Sequence, residues 1–228
     1  MEYKNICKGS FLSRPNRFIA YVEIEGRVEK AHVKNTGRCR ELLTDQAEVF
    51  LERSDNPRRK TVYDLVAVKK GSRIVNIDST APNKAAGEWI RSGFFIPGVE
   101  VVRPETTYGS SRFDFYVEAG GKKIFLEVKG VTLEKGGIAL FPDAPSERAV
   151  KHVRELMRAK EEGYEAYVLF VIQMKDILYF TPNKETQPIF CQALQEAADS
   201  GVSIIAYDCD VWESGMSLRR PVEVRLWQ

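Results

Sequence analysis

The chain holds 228 residues, 43% of them hydrophobic and 29% charged, with a formal net charge of +2. That balance belongs to a folded globular protein and excludes a disordered chain. No run approaches the roughly 18 apolar residues of a membrane span, and Met1 to Phe11 lacks the apolar core of a signal peptide, so neither membrane insertion nor export is expected.

Up to about residue 80 the pattern predicts short strands. Phe18–Ile24, the turn Glu25-Gly26-Arg27 and Val28–Val33 read as a hairpin. Strands are also expected at Ala47–Leu51, Val62–Val68 and Arg73–Ile77, with one helical turn at Cys39–Leu43. Five or six short strands around a small inserted helix suggest a small closed barrel, expected to be an OB-fold, and an SH3-like barrel fits the same pattern. Ala81-Pro82-Asn83 breaks the rhythm. We therefore divide the chain into a barrel at 1–81 and a second domain at 82–228.

In the second part Asn83 is the expected cap of a helix over Lys84–Arg91, stopped by Gly93. Strands follow near Val99–Arg103, Arg112–Val117 and Lys122–Lys129. Ser146 caps a helix running to about Glu162, whose apolar Val150, Val153, Leu156 and Met157 recur at helical spacing. The continuous apolar run Ala166–Gln173 suits a strand covered on both faces. Ile177–Phe180, a helix at Pro188–Ser200 and Val202–Asp208 complete an alternating α/β order. Beyond Val211 only the alternation of Val222, Val224 and Leu226 suggests a strand. Trp89, Trp212 and Trp227 are expected to serve packing. Cys7, Cys39, Cys191 and Cys209 are scattered without CxxC spacing, which argues against zinc and disulfides and suits a reducing cytoplasm.

The stretch richest in chemistry runs from Arg112 to Lys129. A turn centred on Gly120-Gly121, the pair best able to adopt positive φ, makes partner numbers across the hairpin sum to 241. Asp114 then faces Glu127, and Arg112 faces Lys129. Alternation places the apolar Phe113, Phe115, Val117, Ile124, Leu126 and Val128 on one face. Arg112, Asp114, Tyr116, Phe125, Glu127 and Lys129 fall on the other. Opposed carboxylates repel, so the arrangement makes sense with a divalent cation between them. Magnesium (or manganese) prefers such oxygen ligands, activates water and neutralises phosphoryl charge, while Lys129 orients the attacking water. Glu88 on the preceding helix is the expected third acid, with Glu100 and Glu105 as lesser candidates. ExK on a strand also occurs as a solvated edge pair.

The order Glu88, Asp114, Glu127-x-Lys129 resembles the PD-(D/E)xK nuclease superfamily. The stretches Ala31–Arg38, Tyr108–Phe115, Leu126–Leu133 and Phe141–Arg148 with His152 make nearly the whole chain similar to the sugar fermentation stimulation protein A (SfsA) family. The resemblance implies an α/β protein with an N-terminal OB-like β-barrel and a C-terminal restriction-endonuclease-like PD-(D/E)xK domain. It also implies DNA binding and a link to expression of sugar-utilisation genes. By the same resemblance Asp114 and Glu127 are metal ligands, Lys129 is the catalytic lysine, and Glu88 takes the helical acid position.

Residues 1–80 hold 16 Lys and Arg against 11 Asp and Glu, the remainder 18 against 21. A basic barrel beside an acidic remainder suits a polyanion held over a metal site. Nucleic-acid contacts are accordingly expected from Lys34, Arg38 and Arg40 near a barrel strand end, from Arg58 and Arg59 in a loop, and from Arg112, Arg148 and His152. Each also has the reading of a solvated surface residue. The expected activity is magnesium-dependent hydrolysis of DNA, structured or single-stranded. The alternatives are a non-catalytic DNA-binding regulator on a nuclease scaffold, or an RNA-binding protein. A homodimer is compatible with the sequence.

Overall fold

The computed structural model describes residues 1–35 and 37–226. Trp227, expected to serve packing, lies outside them. The first sheet is built from β1 (Ile6–Asn16), β2 (Ile19–Ile24), β3 (Arg27–Val33), β4 (Glu48–Arg53), β5 (Tyr63–Lys70) and β6 (Arg73–Asn76). Strand order β3-β2-β1-β4-β5 is closed by a parallel β3–β5 pairing, and β6 adds to β5. This closed five-stranded ring is the expected OB-like barrel, with Ala20, Val22, Val49, Leu51, Leu65 and Val68 buried inside. Glu25 and Gly26, at φ 50° and 74°, make the tight β2–β3 turn.

Three details of this region are set by the fold. β1, the longest strand of the barrel, carries too little alternation to be seen in sequence, because Gly9 and Pro15 interrupt it and its pairing with β2 shifts register twice. Cys39–Leu43 closes one turn through the Leu43 N–H to Cys39 carbonyl bond at 2.9 Å but does not continue as helix. Residues 1–3 leave the barrel and join the second sheet, where Glu2 bridges Gly215.

The second unit comprises α1 (Ala81–Arg91), β7 (Val99–Tyr108), β8 (Ser111–Ala119), β9 (Lys122–Val131), β10 (Leu133–Lys135), β11 (Ile138–Phe141), α2 (Glu147–Glu161), β12 (Glu165–Ile172), β13 (Tyr179–Pro182), α3 (Pro188–Asp199), β14 (Ser203–Trp212) and β15 (Gly215–Val224). Nine strands form one mixed sheet in the order β10-β11-β13-β15-β14-β12-β9-β8-β7. Helix α1 packs on one face, α2 and α3 on the other. Helix α1 starts earlier than the sequence suggested. Pro82 sits in its first turn, where a missing N–H costs nothing, and Asn83 is therefore inside the helix rather than its cap. Ser146 caps α2 as expected, its Oγ accepting from the Ala149 N–H. The β10–β11 hairpin was not foreseen, since three- and four-residue strands carry little pattern.

The two units share a polar joint. Gln173 Nε2 donates to the Asn76 carbonyl (3.0 Å) and the Asp78 carbonyl (3.2 Å), and Asn76 donates to the Tyr3 hydroxyl. Lys70 pairs with Glu134 at 2.7 Å. Among the described residues no helix is long and apolar enough to cross a membrane.

Gly130, one residue beyond Lys129, sits where β9, the start of α1 and Gln173 converge. An added Cβ would come within 2.6 Å of Gln173 Oε1 and 2.7 Å of Pro82 Cγ. Gly130→Ala is therefore expected to destabilise the protein by about 2 kcal/mol through overpacking, read as a lower urea midpoint at unchanged m-value.

Candidate active site

The β8–β9 hairpin has the register read from the sequence. Phe115 pairs with Leu126, Tyr116 with Phe125, Val117 with Ile124 and Ala119 with Lys122, about a turn in which Gly120 and Gly121 take positive φ. The ladder ends at Phe115–Leu126, one residue short of the acids. Beyond it the Asp114 carboxylate takes the place of the next rung, Oδ2 accepting from the Val128 N–H at 2.7 Å. On the other side β7 pairs through Pro104–Phe115 and Thr106–Phe113, skipping the pair between them, and Glu105 there has φ 55°.

This irregularity changes which face each residue takes. Phe115, Val117, Ile124, Leu126 and Val128 are buried together under α1. Phe113, expected with them, instead joins Tyr116 and Phe125 on the α2 face, its ring 5.2 Å from that of Phe125. The face that carries Glu127 is covered. Glu127 is only 3% exposed, and α2 lays His152, itself 4% exposed, directly on it.

Glu127 is the centre of this arrangement. Its Oε1 accepts from Lys129 Nζ at 2.6 Å and from His152 Nδ1. Arg148 Nε approaches His152 Nε2 at 3.4 Å, so with Nε2 as acceptor, Nδ1 carries the proton toward Glu127. The second oxygen, Oε2, is buried with no hydrogen-bond partner. Burial alone would raise the Glu127 pKa, but the His152 hydrogen bond and the charge of Lys129 outweigh it and hold the carboxyl below its ordinary value. Asp114 behaves oppositely. Burial first, then repulsion from Glu127, push its carboxyl up to about 6, against the hydrogen bonds from Val128 and Asn83.

Helix α1 addresses this site through Asn83, whose Nδ2 donates to Asp114 Oδ1 at 2.7 Å. Glu88 does not face it. Gly87 packs on Phe115, so Asn83, four residues earlier, shares the inward face and Glu88 is rotated about 100° away. The Glu88 carboxylate lies 2.6 Å from the Met1 ammonium and is 60% exposed. Asp114 opens onto a cleft of about 250 Å³ rimmed by Lys84, Arg91 and Glu105.

The residues expected to contact nucleic acid separate into two groups. Lys34 Nζ lies 2.9 Å from Asp64 Oδ2, and Arg59 makes two hydrogen bonds to the same buried carboxylate. Their charge is spent inside the protein. Arg112 pairs with Glu105 at 2.7 Å, both side chains being exposed. His152 is buried in the acid cluster rather than presented at the surface. Arg38, Arg40, Arg58 and Arg148 remain exposed. A pairing not read from the sequence holds the loop before β8, where Ser110 Oγ donates to Glu155 of α2 at 2.8 Å and Lys151 to the Ser110 carbonyl.

Among the described residues no three His, Cys, Asp or Glu side chains lie close enough to hold a metal ion by themselves. The donor set nevertheless fits a hard cation that keeps waters and uses one or two carboxylates. A buried bare carboxylate oxygen and a second carboxyl destabilised by its charge are both relieved by a positive ion.

Residues 80–215 match the family described as the sugar fermentation stimulation protein RE domain, and residues 12–77 match the SfsA N-terminal OB domain. The chain belongs to the SfsA family. A sugar fermentation stimulation protein homolog of Clostridium beijerinckii is 55% identical over 99% of this chain and 100% of the relative. One from Desulfitobacterium hafniense is 57% identical over 99% of both. Among solved structures, Pyrococcus furiosus SfsA in complex with Ca2+ superposes with a TM-score of 0.90 at 29% identity, covering 99% of this chain and 98% of that one. The SfsA fold is thus an OB barrel joined to a nuclease-like RE scaffold.

The raised Asp114 pKa has a measurable consequence. The folded protein holds this proton more tightly than the unfolded chain, whose ordinary value is 3.8, so the contribution is favourable below that pH and is lost as pH rises through about 6. Without divalent ions, Asp114→Asn is expected to match wild type near pH 4 and to exceed its stability near pH 8 by up to about 3 kcal/mol. Urea unfolding in EDTA at both pH values measures the difference.

Proposed function

We propose that this protein is a divalent-metal-dependent nuclease that hydrolyses phosphodiester bonds of DNA. The observation that carries the reading is the buried, unpartnered Oε2 of Glu127 beside a second, half-buried carboxyl, Asp114, with the Lys129 ammonium 2.6 Å from the other Glu127 oxygen. Such a group is costly to keep without a partner, and an ion completes it. The Ca2+ in the complex of the Pyrococcus furiosus relative supports a divalent site, since calcium and magnesium share a preference for oxygen donors.

Asp114 and Glu127 would hold magnesium or manganese, with water and substrate oxygens filling the remaining positions. When bound, such an ion lowers the pKa of a coordinated water and neutralises charge developing on a phosphoryl oxygen. Each protein group has its own task. Asp114, tied to the Val128 amide and to Asn83, keeps a fixed carboxylate that is ionised above about pH 6. Lys129, held on Glu127, offers an ammonium to orient the attacking water or to stabilise negative charge on the scissile phosphate. His152 orients Glu127 from α2 and leaves Oε2 available. The four free cysteines fit a reducing compartment, in keeping with action in the cytoplasm.

The test is cleavage of single-stranded, duplex and branched DNA with magnesium or manganese. Wild type is expected to cut at least one of these substrates. Asp114→Ala, Glu127→Ala and Lys129→Ala are each expected to lose activity by about 100-fold or more. Equal behaviour of wild type and Asp114→Ala across the panel would refute the reading. Independently, magnesium or calcium should raise the thermal midpoint of wild type near pH 8 and leave that of Asp114→Asn nearly unmoved.

A further inference from the structure

The barrel carries a second feature that the proposed nuclease site does not use. Arg14, on β1, spreads its guanidinium over four backbone carbonyls. Nη1 donates to Gly37 and Arg38 at 2.8 Å each, and Nη2 donates to Arg17 at 2.7 Å and Asn35 at 2.6 Å. These bonds tie the β1–β2 turn to the segment after β3. Both walls are fixed further. The Asn16 side chain accepts from the Phe18 and Ile19 N–H groups, and Asn35 Nδ2 donates to the Ile77 carbonyl at 2.8 Å. Between the walls lies an open cleft of about 450 Å³.

Three further arginines line this cleft: Arg17 from the turn, Arg38 and Arg40 from the opposite segment. All three are exposed, and among the described residues none forms an ion pair. This separates them from Lys34 and Arg59, both of which pair with the buried Asp64. Phe18 follows Arg17 in the same turn and leaves 55% of its surface in water. With three exposed guanidinium groups on a braced cleft and an exposed aromatic ring on the residue after Arg17, this end of the barrel carries both chemistries that an unpaired nucleotide strand requires. Guanidinium groups take phosphates, and the ring takes a base face. In a duplex the base faces are already stacked on each other, so the ring has no equivalent use there.

We infer that the cleft between the β1–β2 turn and residues 37–40 binds single-stranded DNA, with Arg17, Arg38 and Arg40 on the phosphodiester backbone and Phe18 stacked on a base. The inference rests on the proposal that this protein acts on DNA and extends it to the barrel. The cleft adjoins the nuclease-like unit, because an added Cβ on Gly37 would meet the carboxylate of Asp143, three residues ahead of the α2 cap. A strand held there thus lies beside the segment that leads into the helix bearing His152.

The experiment is fluorescence anisotropy of the full chain with labelled oligothymidylate of about fifteen nucleotides and with duplex of equal length, in EDTA. Because no divalent ion is present, the outcome is independent of whether Asp114 supports cleavage. Wild type is expected to prefer the single strand. The triple variant R17E/R38E/R40E should weaken oligothymidylate binding at least tenfold and flatten the slope of log affinity against log salt by about 2, as loss of three phosphate contacts requires. Phe18→Ala should weaken the single strand by about tenfold and leave the duplex unchanged. Arg27→Glu, in the β2–β3 turn outside the cleft, should alter neither. Among the described residues none of the three arginine side chains has an ion-pair partner to lose, and thermal melts check that each variant is folded. Single Arg17→Glu and Arg40→Glu variants, each losing about threefold, provide the same test if the triple variant does not fold. Unchanged affinity in the folded variants, an equal loss in Arg27→Glu, or tighter binding of oligouridylate than oligothymidylate would overturn the assignment.

Discussion

The fold is organised around one carboxylate with two unequal oxygens. Glu127 Oε1 is satisfied twice, by Lys129 and His152, while Oε2 is buried and bare. Burying a charged group without a full set of partners costs several kcal/mol, and placing a second acid beside it adds repulsion. Such an arrangement persists only when the surroundings over-determine it. Here three elements do so. Helix α2 delivers His152, helix α1 delivers Asn83 to Asp114, and the hairpin opens by one rung so that Asp114 can occupy the Val128 amide.

The opposite shifts of the two acids follow from how they are served. Glu127 has a lysine and a histidine, which outweigh its burial. Asp114 is hydrogen-bonded only by neutral donors and feels Glu127 itself, and the charge of Lys129 does not offset this, so burial prevails. The pair is therefore poised: one acid ionised over the working range, the other ionised only above about pH 6. Environments that push paired carboxyl groups apart are a recurrent sign of chemistry.

The barrel illustrates the same dependence on partners. Lys34, Arg59 and Arg38 are alike as residue types within a basic segment. Asp64, buried at 1% exposure, absorbs the first two and leaves the third to solvent. Arg14 shows a third use of the same charge. Its two terminal nitrogens are spent on carbonyl groups and brace the cleft. Counting cations along the chain cannot separate these roles, because each is set by which acceptor the fold brings within about 3 Å.

What the sequence determined by itself is the local geometry. The glycine pair at 120–121 and the two-residue alternation set the hairpin register, Ser146 with its apolar stripe set α2, and the apolar run after Ala166 set β12. These depend on turn chemistry and on side chains adjacent along one element, so they are written where they act. The tertiary structure alone decided that Phe113 changes face, that Asn83 rather than Glu88 meets Asp114, and that His152 lies buried on Glu127 rather than at the surface. Each of these turns on a long-range fact: a rung lost between β8 and β9, the face of α1 pressed on Phe115, and the packing of α2 across the sheet. Strand period carries no information about such contacts. A long charged side chain finds its partner only after distant segments have closed around it.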